Sequence, residues 1–264
     1  MPLPAEPIRL EGSALVLGAS SGFGAAVAVA LARAGLDIVG VHLDRKATQP
    51  NAERVAESVR ALGRTAHLFN VNAADPERRA DVLAAVGDGR LRVLVHSLAF
   101  GTLRPFVTES TKDATTQAQM DMTLDVMAHS LVYWTQDAVA RGLMGEGGRI
   151  YAMTSSGGRR VLPNYGAVSA AKAALESHVR QLAMELAPRG ITVNAIRAGV
   201  TATPAAQKIP GYDRLEANAK RTNPSGRLTT PEDVARAIVV LAHPDTHWIT
   251  GNVIGVDGGE DIVA

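Results

Sequence analysis

A tyrosine and a lysine seven positions apart, Tyr165 and Lys172, are the residues of this sequence best suited to proton chemistry. At 3.6 residues per turn, seven positions make nearly two turns, so on a helix both side chains project from one face. The residues between them, Gly166-Ala167-Val168-Ser169-Ala170-Ala171, are small and leave that face open to a ligand. A phenol titrates near pH ~10, and a neighbouring ammonium favours its ionised form. The pair therefore suits donation of a proton to an oxyanion, given a ligand within reach. The plain alternative is an amphipathic helix start that happens to carry a surface lysine, and the surrounding elements decide between the two.

Those elements alternate. Ser13–Leu17 is a short apolar run that ends in glycine and predicts a buried strand. A helix over 25–34 rich in Ala and Val follows, closed by Gly35, then a strand over 37–43. Val55, Val59 and Leu62 give helical spacing to 51–62, stopped by Gly63. A third strand over 66–71 precedes a helix over 76–86 that opens with proline, where the missing donor costs nothing. A fourth strand covers 92–96, a long mostly helical region 111–141, and a fifth strand 149–153. The helix of Tyr165 and Lys172 runs over 165–187 and is halted by Pro188 and Gly190. A sixth strand follows over 191–196. Residues 201–225, with Pro204, Pro210, Gly211 and Pro224, lack a strong period and predict a mobile insertion. Thr230 caps a last helix over 231–241, and 253–256 is a seventh strand. Strands alternating with helices throughout predict an α/β fold: a single domain over 1–264 with a doubly wound parallel sheet of about seven strands.

Composition narrows the function. Lys and Arg total 27 against 26 for Asp and Glu among 264 residues, and aromatics make up 4%, so neither a polyanionic partner nor a base-stacking surface is expected. Cysteine is absent, which removes disulfides, thiolate nucleophiles and thiolate metal sites. The Pro-rich start lacks the basic and apolar regions of a signal peptide, and no apolar run approaches membrane-spanning length. The sequence therefore predicts a soluble, cytoplasmic protein with no nucleic-acid or membrane partner. His67, His129, His178, His243 and His247 show no metal-ligand spacing, so no metal site is expected.

The first strand runs into Gly18-Ala19-Ser20-Ser21-Gly22-Phe23-Gly24 and from there directly into a helix. Glycines let a backbone approach a pyrophosphate closely, and a helix N-terminus offers free N–H groups to the anion. A glycine cluster can be only a tight turn, but the strand before it and the helix after it are the context a dinucleotide site requires.

The spacing of these glycines resembles the short-chain dehydrogenase/reductase family, and the resemblance covers nearly the whole chain. It includes the Tyr–Lys helix, Arg197-Ala198-Gly199-Val200-Thr201-Ala202-Thr203 and Val256-Asp257-Gly258-Gly259. It implies a Rossmann fold in which Tyr165 donates to the substrate oxygen, and Lys172 holds the nicotinamide ribose and helps lower the tyrosine pKa. A serine on the fifth strand, by register Ser155, steadies that oxygen, although a strand-end serine can equally be a turn residue. Cofactor contacts are implied for Gly18, Ser20, Ser21, Gly22, Phe23 and Gly24, for Ser97, Leu98 and Ala99, and for Ala198, Gly199, Val200, Thr201 and Thr203. Asn72 and Ala73, taken as the end of the third strand, are the implied adenine contacts.

Departures from the common pattern refine the expectation. Ordinary members place their tyrosine four positions before the lysine, where this chain has Val168. The wider spacing to Tyr165 resembles the enoyl-acyl carrier protein reductases, which reduce a carbon–carbon double bond. Hydride there goes to the β carbon, so the phenol must meet a thioester oxygen some distance away. Val95-His96-Ser97-Leu98-Ala99-Phe100 and Asp125-Val126 look like the NADH-using members of that branch. The intact glycine loop, Gly101-Thr102-Leu103-Arg104-Pro105 and Asn223-Pro224-Ser225-Gly226-Arg227 look like its third, NADPH-using type.

Cofactor choice falls to the end of the second strand, where an acidic residue accepts from a ribose hydroxyl and a basic one pairs with a 2′-phosphate. The deciding position is His42, followed by Leu43-Asp44-Arg45-Lys46. His42 tolerates phosphate and Arg45 with Lys46 could clamp it, whereas Asp44 could serve the diol. NADPH is the favoured cofactor and NADH the alternative. The expected activity is reduction of an enoyl thioester on acyl carrier protein or coenzyme A. The resemblance also implies a homotetramer formed through the two long helices. The rivals are a ketone- or alcohol-acting reductase and a non-catalytic dinucleotide-binding regulator.

Overall fold

In the computed structural model, which describes residues 8–87 and 90–263, seven parallel strands form one sheet in the order β3-β2-β1-β4-β5-β6-β7. The strands are β1 (Ser13–Leu17), β2 (Asp37–His42), β3 (Ala66–Asn70), β4 (Leu91–His96), β5 (Arg149–Ser155), β6 (Thr192–Ala198) and β7 (Val253–Val256). Every residue of β1 is buried, as a strand covered by helices on both faces must be. One face is covered by α1 (Gly22–Arg33), α2 (Gln49–Ala61) and α8 (Pro231–Leu241), through Val27, Leu31, Val55, Val59, Val234 and Ile238. The other is covered by α3 (Pro76–Ala84), α5 (Ser130–Ala140) and α6 (Gly166–Leu186), through Val82, Leu83, Leu131, Trp134, Leu175 and Val179. Strand order reverses between β1 and β4, and their carboxyl ends open the crevice in which such sheets hold ligands.

Three elements differ from the sequence reading. The helix α1 starts at Gly22, so the last three residues of the glycine loop already belong to its first turn. The long helical region is α4 (Gln117–Leu124) and α5 joined by a π-helical turn, Asp125–His129, which breaks the regular period. Residues 201–225, read as aperiodic, contain α7 (Tyr212–Thr222). Its apolar stripe is short, Tyr212, Leu215 and Ala219 at helical spacing among charged and polar residues, with Tyr212 and Ala219 buried. Its support is local: Gly211 at φ +80° before it and the Glu216–Lys220 pair at 2.7 Å. No helix among the described residues is long and apolar enough to cross a membrane.

Candidate active site

The carboxyl end of β5 anchors the reactive face of α6 with three successive residues. The carbonyl of Met153 accepts from Lys172 Nζ at 2.8 Å, Thr154 Oγ1 donates to Glu176 Oε1 at 2.7 Å, and Ser155, whose Oγ accepts from the Gly157 N–H at 2.9 Å, stands beside Tyr165. Tyr165 caps α6, and Asn164 before it sits at φ +61°, a conformation that side chains other than glycine seldom adopt. Both reactive side chains are buried, Tyr165 at 8% and Lys172 at 6% exposure. Lys172 also points toward the carbonyl of Leu98, at 3.5 Å. The surface-lysine alternative is thereby removed.

Burial sets the protonation of this group. It pushes the Tyr165 phenol above its ordinary value, against a smaller downward pull from Ser155. The expected lowering of the phenol by Lys172 is not seen; the ammonium is turned to backbone carbonyls instead. A neutral phenol is the form that can donate. Burial likewise depresses Lys172, to about 8, with Glu176 opposing.

These residues line a cavity of about 610 Å³, within the ordinary range for small-molecule sites. Of the residues expected at the site, Phe23, Ser97, Leu98, Ala99, Ser155, Tyr165, Lys172, Ala198, Gly199, Val200, Thr201 and Thr203 share this lining. Leu103, Met127, Leu162, Val168 and Ile209 make one wall apolar, and α7 contributes Leu215 and Ala219. A Cβ on Gly157 would stand 2.6 Å from Tyr165 Cε1 and 3.1 Å from Ser155 Oγ. Gly157→Ala is therefore expected to displace the phenol and lower kcat by about 10²-fold, the cost of ~1 Å misplacement. Measured kcat beside an unchanged melting temperature checks it.

Gly18, Ser20, Ser21, Gly22 and Gly24 lie outside that lining, the first three in the turn after β1 and the last two in the first turn of α1. A Cβ on Gly24 would overlap the Gly18 carbonyl and one on Gly18 would overlap the Ser97 carbonyl, so the turn exists only with glycine at both places. Ser21 makes no side-chain cap, which leaves the first-turn N–H groups of α1 free for an anion. This cradle fits a dinucleotide pyrophosphate.

The end of β2 differs from the expectation. His42 is buried at 6% exposure and its Nδ1 lies 2.8 Å from Asp44 Oδ2, so it is not a free contact for a phosphate. Burial raises the Asp44 carboxyl, but hydrogen bonds with Thr48, Ser20 and His42 outweigh it and hold the group below its ordinary value. An ionised carboxylate thus stands beside the glycine loop, while Arg45 is exposed and its side chain has no partner among the described residues. Asn72 and Ala73 follow β3 in the turn: the exposed Asn72 accepts at Oδ1 from the Ala74 N–H, and the Ala73 carbonyl accepts from Trp134 Nε1. The residue that joins β3 to the β2 loop is Asn70, which binds the Asp44 N–H at 2.9 Å and its carbonyl at 3.0 Å.

Two further contributors escaped the sequence reading. Glu260 accepts from the Val200 N–H at 3.1 Å and so braces the 198–203 segment. Asp261 beside it pairs with Arg159, Arg160 and Arg197, which fastens the chain end against β5 and β6. At the π turn, Ser130 donates to the Val126 carbonyl, so its oxygen accepts from His96 Nε2 at 2.8 Å. Among the described residues no group of three or more metal-ligating side chains converges.

The family model described as Enoyl-(Acyl carrier protein) reductase matches residues 18–260. The chain belongs to the enoyl reductase branch of the short-chain dehydrogenase/reductases. The crystal structure of enoyl-[acyl-carrier-protein] reductase (NADH) from Aquifex aeolicus superposes with a TM-score of 0.83 at 30% identity, covering 97% of this chain and 98% of that one. An uncharacterized oxidoreductase of Mycobacterium tuberculosis is 35% identical over 93% of this chain and 90% of its own length. An NADPH-dependent aldehyde reductase-like protein of Arabidopsis thaliana is 32% identical over 96% of each. The fold, the family and oxidoreductase chemistry follow from these likenesses, which include carbonyl-acting as well as enoyl-acting relatives.

Proposed function

We propose that the protein reduces enoyl thioesters with a nicotinamide dinucleotide. The observation that carries this reading is the phenol's place, one helical turn before the usual position, with Val168 filling the vacated one in the cavity wall. A ketone reductase needs its donor at the carbon that receives hydride. A donor set back by a turn suits an oxygen two bonds further along, that of a conjugated thioester. Bound dinucleotide supplies hydride to the β carbon. Tyr165 donates a hydrogen bond to the enolate oxygen, Ser155 stands beside the phenol, and a proton drawn from solvent closes the reaction at the α carbon. Lys172 provides the buried positive charge and the hydrogen bonds that orient a ribose. The apolar wall suits an acyl chain, and the 201–222 segment with α7 closes over it and excludes water. Carriage on acyl carrier protein or coenzyme A and a homotetrameric assembly belong to the same proposal.

For the cofactor, Asp44 shifts the balance from the NADPH favoured by the sequence to NADH. Its ionised carboxylate beside Ser20 accepts from a ribose diol and repels a 2′-phosphate. Asp44→Ser is expected to raise kcat/KM with NADPH relative to NADH by about tenfold or more, the size of one nearby charge repulsion. An unchanged ratio would return the choice to Arg45 and Lys46. The activity itself is tested by following dinucleotide oxidation with crotonyl thioester. Turnover supports the reading, and inertness toward it alongside turnover of a ketone or aldehyde overturns it.

A further inference from the structure

We infer that Glu176 is a positioning residue that keeps Lys172 charged. This rests on the role proposed for Lys172. Glu176 lies four residues after Lys172, hence on the same face of α6 one turn on, and both are buried, at 9% and 6% exposure. Its carboxylate makes no ion pair within 4 Å among the described residues, an unusual state for a buried charge. What fixes it is Thr154, whose neighbour Met153 fixes Lys172. The two charges are thus held in register by adjacent residues of one strand. The turn after β5 shields them, since a Cβ on Gly158 would meet Lys172 Cβ at 3.3 Å and Glu176 Oε1 at 3.6 Å.

No other group near Lys172 can take this role. From β4, His96 faces it and is held neutral, burial and Lys172 itself driving its pKa down to about 3. From the cap of α6, Tyr165 is raised by burial. β5 offers only the neutral Thr154 and Ser155. The π turn packed on α6 carries Asp125 and His129, which line a separate recess with Asp121 and Met122. From β6, Arg197 is paired with Asp261. Coulomb attraction in so dry a setting acts over several ångströms, and Glu176 is the one charged group that raises a lysine that burial has brought to about 8, beside its hydrogen bonds to backbone carbonyls.

The test is Glu176→Gln, which keeps the shape and an oxygen for Thr154. Removing the negative charge disfavours the ammonium, so Lys172 loses its proton at lower pH. The alkaline limb of kcat/KM is expected to move down by about one pH unit, a tenfold change in the proton equilibrium. The pH dependence of NADH binding, read by cofactor fluorescence, should move with it. Glu176→Asp should restore the limb. Loss of activity by an equal factor at every pH, or a lowered melting temperature with both profiles unmoved, would assign Glu176 to packing and overturn the inference. If the enzyme does not turn over enoyl thioesters, the binding profile still decides, so the two readings fail separately.

Discussion

Replacing Tyr165 by phenylalanine is expected to lower kcat for an enoyl thioester by about 10²- to 10³-fold, the usual loss of one donor to a developing oxyanion. The ring would still fill its place against Gly157 and Val168, so packing changes little. Only the hydroxyl is lost. Affinity for the dinucleotide, measured by fluorescence titration, should stay within about twofold, because the interaction removed is made to the transition state. A Phe variant with unchanged kcat would remove the phenol from the chemistry and leave the fold without its proposed donor.

Lys172→Met is expected to separate activity from stability. The ammonium is buried and its pKa of about 8 lies below the ordinary 10.5, so the unfolded chain holds the proton more tightly. The buried charge therefore costs stability at every pH below about 8, and the cost fades as pH rises toward the unfolded value. Methionine has similar length and no charge to bury. At pH 7 the variant should melt at the same temperature or a few degrees higher, while turnover falls by at least about 10²-fold. A large drop in melting temperature would instead mark Lys172 as a strut whose bonds to Met153 and Leu98 hold β4, β5 and α6 together. For the same reason the wild-type alkaline limb of kcat/KM should fall near pH 8, where the lysine discharges.

The strands were legible because a parallel sheet buried on both faces demands nearly continuous apolar runs, as in Ser13–Leu17 and Leu91–His96. The glycine turn after β1 was legible because Gly18 and Gly24 are each required by a close backbone approach. The helix α7 was not, since its apolar stripe is only Tyr212, Leu215 and Ala219, set among charged residues and flanked by Pro210, Gly211 and Pro224. At the strand ends sequence counting loses its footing. The alternation of side chains holds only while the strand lasts, and β3 stops at Asn70, two residues before the expected contact. The same applies at the end of β2, where the four polar candidates among residues 42–46 can be ranked only once the turn is seen. There Asp44 faces the glycine loop and His42 is turned to serve it. Glu260 and Asp261 join the site from the far end of the chain, by contacts no local pattern encodes.

Of the rival chemistries, reduction at a carbonyl is separated most directly by a competition experiment. Crotonyl and acetoacetyl thioesters of the same carrier are supplied together at equal concentration with limiting dinucleotide, and the products are identified by mass. The phenol's setting at Tyr165 predicts butyryl thioester as the dominant product. Accumulation of the 3-hydroxybutyryl thioester with the crotonyl substrate untouched would contradict it.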